Sequence, residues 1–96
     1  MITINIKDFM PLTSHQVGIK IKTMIIDIIK NTNDPIILDF NEVDICTDSF
    51  SQQLTTILAR EVTFPVLKER VKFKNLNSFL QEMIKANLYK ALKNEK

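Results

Sequence analysis

The run Pro35-Ile36-Ile37-Leu38-Asp39-Phe40 constrains this chain more than any other segment. It is too short for a surface helix and too continuously apolar for a half-exposed strand. It therefore reads as a central strand buried on both faces. The flanking segments supply what such a strand packs against. Ile2, Ile4 and Ile6 alternate with Thr3, Asn5 and Lys7 as a half-buried strand, and Pro11 places a loop after it. Thr13 or Ser14 caps a helix in which Val17, Ile21, Met24, Ile25, Ile28 and Ile29 recur at helical spacing, and Asn31 to Pro35 ends it. Gly18 costs that helix about 1 kcal/mol relative to alanine, unless it marks a delayed start or a close approach to another backbone.

Beyond the central run, Phe50, Leu54, Ile57, Leu58 and Val62 define a second amphipathic helix, which Pro65 keeps from continuing. Arg70-Val71-Lys72-Phe73-Lys74 alternates, with Val71 and Phe73 turned to a core and the basic residues to water, where they also guard an edge strand. Asn75 and Asn77 break that strand and cap a last helix with Leu80, Met83, Ile84, Leu88 and either Ala91 or Leu92 inward, and the tail Lys93 to Lys96 frays. Strand alternates with helix three times, which predicts one small α/β domain over residues 1–96 with right-handed crossovers.

Composition removes most catalytic classes. Gly18 is the only glycine, which excludes Walker-type and dinucleotide-binding loops. Cys46 is the only cysteine and reads as a small core hydrophobe, and His15, the only histidine, reads as a surface residue. The acidic group Asp39, Glu42, Asp44 and Asp48 lacks the glycine turn and terminal glutamate of a calcium loop. No metal, cofactor or enzymatic activity is expected. Apolar stretches fall well short of the ~20 residues that span a bilayer, and no signal-peptide pattern opens the chain, so a soluble cytoplasmic protein is expected. Charge is uneven: residues 1–59 hold four lysines against seven acids, and residues 60–96 hold nine basic residues against four acids. The basic half, with Lys68, Arg70, Lys72, Lys74, Lys85 and Lys90, raises a nucleic-acid-binding module as an alternative function, although no aromatic interleaving or binding motif accompanies it.

One segment remains as a candidate site. After the central strand, Asn41 to Cys46 forms an acidic loop and Thr47-Asp48-Ser49 opens the second helix. Ser49 has two readings. As an N-cap, its oxygen accepts a main-chain N–H while Gln52 reaches back in a capping box, and Thr47 or Asp48 serves the cap equally well. As a phosphoacceptor, it would add a charge of about −1.5 to −2 to an exposed surface.

This segment resembles the STAS superfamily of bacterial anti-sigma-factor antagonists, in which a buried strand leads to a D-S-S-G helix start whose second serine is phosphorylated by a partner kinase. Asp39 matches the polar strand end, and ten positions later Ser49 matches the phosphoacceptor. Thr47 stands at the motif aspartate, Asp48 at its first serine and Phe50 at its glycine. Ser49-Phe50-Ser51-Gln52-Gln53-Leu54, with the opening Met1-Ile2-Thr3-Ile4-Asn5-Ile6 strand and Val71-Lys72-Phe73-Lys74-Asn75-Leu76, is similar to a less characterised STAS-like group of small bacterial proteins. The resemblance implies a mixed sheet of about three or four strands with helices packed against it. It also implies a non-catalytic partner-switching regulator with a protein partner, such as a histidine-kinase-type ATPase. Ser49 or Thr47 would be the phosphoacceptor, and Asp39, Asp44, Asp48, Ser49, Ser51 and Gln52 the partner surface. A third reading, set against these two functions, is a purely structural subunit that forms a homodimer along the sheet edge.

Overall fold

The structure, a computed structural model, describes residues 1–94, so Glu95 and Lys96 of the expected frayed tail lie outside the described residues. Three strands, β1 (Ile2–Asn5), β2 (Ile36–Asp39) and β3 (Val71–Lys74), form one sheet in the order β1-β2-β3. Both pairings are parallel, with Ile4 opposite Leu38 and Leu38 opposite Phe73. The expected mixed sheet is thus corrected to a parallel one of three strands. Each strand returns through a helical crossover, and none is joined by a hairpin.

Helix α1 (His15–Asn31) carries the first crossover. The second crossover is not the single helix expected from the spacing of Phe50 to Val62. It is three short helices, α2 (Asp48–Leu54), α3 (Thr56–Val62) and α4 (Phe64–Arg70), and α5 (Ser78–Asn94) follows β3. The breaks have local causes. Thr55 and Thr56 turn their hydroxyls back onto the carbonyls of Ser51 and Gln52, at 2.8 and 3.3 Å, offering those acceptors a partner other than the helical N–H. Thr63 takes φ 77°, and Pro65 sits in the first turn of α4, where its missing N–H leaves nothing unpaired. Pro65 therefore starts a helix where the sequence suggested only a stop. At its far end, Arg70 donates to the carbonyls of Thr32 (2.8 Å) and Asp34 (3.0 Å), fastening α4 to the loop between α1 and β2.

With the strands in chain order, both crossovers step the same way across the sheet. Right-handed connections then place their helices on the same face. Burial agrees: Ile4, Ile36, Leu38 and Val71 are buried, while Thr3, Asn5, Lys72 and Lys74 on the opposite face are exposed. Ile37 and Asp39 are only half-buried, so β2 is covered on one face and not on both as its sequence implied. Its apolar run includes Ile37 without needing to hide it.

Below the covered face, Ile21 and Ile25 of α1, Phe50 and Leu54 of α2, Leu58 of α3, Leu67 of α4 and Leu80 and Ile84 of α5 complete one core. Gly18 marks a close approach. A Cβ there would stand 2.8 Å from Cβ of Gln53 and 3.2 Å from the carbonyl oxygen of Phe50, so α1 and α2 meet where only glycine fits. Asn77 caps α5, accepting the N–H of Leu80 at 2.8 Å. Ala91, not Leu92, is the inward residue at its end.

Candidate functional site

In a parallel sheet the loops that leave the carboxyl ends of the strands lie side by side, and this is where open α/β folds place their sites. Three loops meet there in this chain. The one after β1 reaches the start of α2, where the N–H of Thr47 donates to the carbonyl of Leu12 at 3.2 Å. The one after β3 is tied to the loop after β2 by Asn77, whose amide donates to the carbonyl of Asp44 at 2.9 Å. Lys7 and Glu42 form an ion pair of 2.6 Å between the loops after β1 and β2.

Asp39 ends β2 and works within this frame. Its Oδ1 accepts the side-chain amide of Asn75 and the N–H of Asn41, each at 2.9 Å. The Asn75 bond, followed by the Asn41 bond, holds its carboxyl below the ordinary aspartate range. Asn75 makes this contact from a left-handed backbone conformation, φ 60°, which asparagine tolerates. Asp39 is therefore a brace between β2 and β3. No hydrogen bond joins it to the Thr47–Gln52 group among the described residues.

Thr47 is the cap of α2. Its Oγ1 accepts the N–H of Phe50 at 3.2 Å. Ser49, two positions inside, is exposed, and its hydroxyl lies 3.4 Å from that of Thr47. Gln52 does not reach back in a capping box. Its amide donates to Oδ2 of Asp48 at 2.7 Å. Oδ1 of Asp48 accepts from Asn87 at 3.2 Å, and the same amide donates to the hydroxyl of Ser51 at 2.8 Å. Ser51 is 2% exposed, which takes it out of the surface expected to meet a partner and makes it an internal strut. Asp44 and Asp48 stay exposed and Gln52 is half-buried.

Asn87 is the residue that sequence reasoning missed. It lies at 1% exposure on the inward stripe of α5, in step with Leu80, Ile84 and Ala91. A lone amide on an otherwise apolar stripe is the signal that would have found it, because a buried amide requires partners. The other catalytic candidates stay bland. His15 is exposed at the start of α1, and Cys46 is buried with Sγ 3.8 Å from Sδ of Met83. Burial, with a smaller push from Asp48, raises the Cys46 thiol to about 11, so it is protonated at neutral pH. Among the described residues no group of His, Cys, Asp and Glu could hold a metal ion, and no helix is long and apolar enough to cross a membrane.

Apolar side chains border the same end. Met10, Ile45 and Phe79 are 51, 67 and 48% exposed, each within two residues of Leu12, Asp44 or Asn77, whose hydrogen bonds close the loops together. A family model described as a STAS-like domain of unknown function (DUF4325) matches residues 17–81, from the first turn of α1 into α5, and includes the whole Asp39–Gln52 segment. The chain belongs to this STAS-like family. Searches of curated proteins and of solved structures returned no match. In the STAS-like domain the matched span thus includes β2, β3 and the α2 start, whereas β1 lies outside it.

Proposed function

We propose that this STAS-like domain is a non-catalytic cytoplasmic regulator that docks a protein partner at the carboxyl end of its sheet, with Ser49 as the phosphoacceptor that controls docking. One observation carries the reading. Thr47 does the capping, which leaves the hydroxyl of Ser49 exposed at the helix start with no main-chain partner and only the Thr47 hydroxyl, 3.4 Å away, beside it. The exposed apolar residues Met10, Ile45 and Phe79 supply contact area around it, and Asp44 and Asp48 supply a charge pattern. Phosphate on Ser49 would add about −1.5 to −2 charges beside Asp48 and change both the bulk and the potential of that surface. Thr47 is the weaker acceptor, since modifying its oxygen would remove the cap.

The nucleic-acid alternative finds less support. Arg70 is committed to the carbonyls of Thr32 and Asp34, and Lys72 and Lys74 lie on the open sheet face, on a different element from Lys85 and Lys90. The test uses the histidine-kinase-type ATPase encoded nearest to this chain. Incubation of the two with ATP, followed by peptide mass spectrometry, is expected to place one phosphate on Ser49 and none on the Ser49→Ala variant. Ser49→Asp is expected to weaken binding to that ATPase at least tenfold. Phosphate only elsewhere, or unchanged binding by Ser49→Asp, would sink the reading.

A further inference from the structure

β3 is an edge strand, and its outer side has three features that fit together. The first is main-chain hydrogen-bonding capacity. Lys74 accepts the N–H of Phe40, so its peptide groups face β2, as do those of Lys72 two residues earlier. Phe73 lies between them and turns its N–H and C=O away from the sheet. The second feature is a surface cavity of about 120 Å³ walled by Phe64, Leu67, Lys68, Val71, Phe73 and Leu88. No residue of β1, β2 or α1 lines it, so it lies beside the β3 edge on the helical side of the sheet. Its size approaches the ~150 Å³ of an apolar cavity that admits benzene, which is room for one branched or aromatic side chain. The third feature is charge. Lys72 and Lys74 project from the opposite face of the same strand, and Lys68 sits at the cavity wall. Neither of the two ion pairs found among the described residues includes any of these three lysines. The one contact of Lys72 is an exposed bond from its Nζ to the carbonyl of Lys68 at 3.1 Å, which leaves its charge unneutralised. Asp39, the neighbour of Lys74 in the register, is occupied by Asn75 and Asn41.

We propose that the β3 edge captures an extended segment of a partner protein in which acidic residues alternate with branched or aromatic ones. Pairing with Phe73 would sort the incoming side chains by the two-residue period of a strand. One set would enter the cavity, and the other would lie over Lys72 and Lys74. Edge lysines ordinarily deter strand addition, and here they select its charge. A second copy of this chain does not fit as occupant. Its β3 would set lysine against lysine, and its β1, Ile2–Asn5, carries no acidic residue. This surface is separate from the one around Ser49, and its test does not involve that site.

The probe is a capped seven-residue peptide alternating glutamate with valine and leucine, titrated into the isotopically labelled full chain. Saturable binding is expected, with amide shifts centred on Phe73 and Leu88 and slowed hydrogen exchange at the Phe73 N–H. Replacing the glutamates by lysine, or placing proline at the centre of the peptide, should weaken binding by roughly tenfold or more. The Lys72→Gln/Lys74→Gln double variant, whose fold is verified by circular dichroism, should do the same. Absence of binding, shifts confined to the Ser49 end, or equal affinity for the lysine peptide would overturn the proposal. So would a chain that light scattering shows to be dimeric with the Phe73 amide already protected, because the occupant would then be a second copy.

Discussion

Two hydroxyls two positions apart have different jobs at the start of α2, and the difference is measurable. Thr47 accepts the N–H of Phe50, whereas Ser49 has no main-chain partner. Thr47→Ala should therefore cost about 1 kcal/mol of stability, the usual loss for an N-cap. Ser49→Ala should stay within about 0.5 kcal/mol, as for other exposed substitutions. Urea denaturation of both variants checks this, and equal losses would show that Ser49 shares the cap. The sequence left Thr47, Asp48 and Ser49 interchangeable as caps because each has an oxygen at the right distance from the helix start. Only the main-chain geometry, with Thr47 extended at φ −75° and ψ 158°, chooses among them. The role of Asn87 was illegible for the opposite reason. Its stripe position was readable, but its partners Asp48 and Ser51 lie 39 and 36 residues away along the chain.

At the scale of elements, strands and long helices were legible because each has a period to show: β2, β3, α1 and α5 lie where alternation or helical spacing put them. β1 does so up to Asn5, after which Ile6–Phe9 turns into a 3-10 helix that the alternation through Lys7 concealed. The α2–α3–α4 crossover was not. Its apolar residues keep helical spacing through Val62, so the pattern conceals breaks made by backbone and hydroxyl geometry at Thr55 and Thr63. Thr63 is the sharper of the two. A β-branched residue at φ 77° and ψ 151° occupies a region that suits glycine almost alone, at a cost of about 1–3 kcal/mol. Glycine there would relieve that strain while adding about 0.4–1 kcal/mol of unfolded-state entropy. Thr63→Gly should thus stabilise the chain by about 1 kcal/mol and raise Tm by roughly 4–8 °C. Thr63→Ala keeps the conflict and should bring no such gain. A glycine variant that melts lower than the parent would mean the turn is held by something other than backbone preference.

For the molecule as a whole, parallel order with one-sided crossovers divides the chain into an apolar body and a carboxyl end held together by polar contacts. The body was readable from hydrophobic spacing. The polar end was not, since Lys7–Glu42 and Asp39–Asn75 join residues 35 and 36 positions apart. These contacts make that end the acid-sensitive part. The carboxyl of Glu42 is held below its ordinary value by the hydrogen bond and charge of Lys7, and that of Asp39 by Asn75, Asn41 and, more weakly, Lys74 and Lys7. A carboxylate depressed in the folded state contributes stability above its unfolded pKa, about 4, and loses it as pH falls through the folded value. Lys7 is raised by the same partner, so the pair is also lost in strong alkali, as pH rises through the folded value of Lys7. Acidification from pH 6 to below 4 should therefore loosen the loops after all three strands first. Amide exchange is expected to quicken at Asn41, Glu42 and Asn75 after correction for intrinsic rates, while Ile25 and Leu38 in the core hold their protection. The Asp39→Asn variant should show a smaller acid response at Asn75 than the parent. Uniform loss of protection across core and loops would show instead that the carboxyl end and the body unfold as one unit, which would leave Ser49 on a surface as rigid as the core.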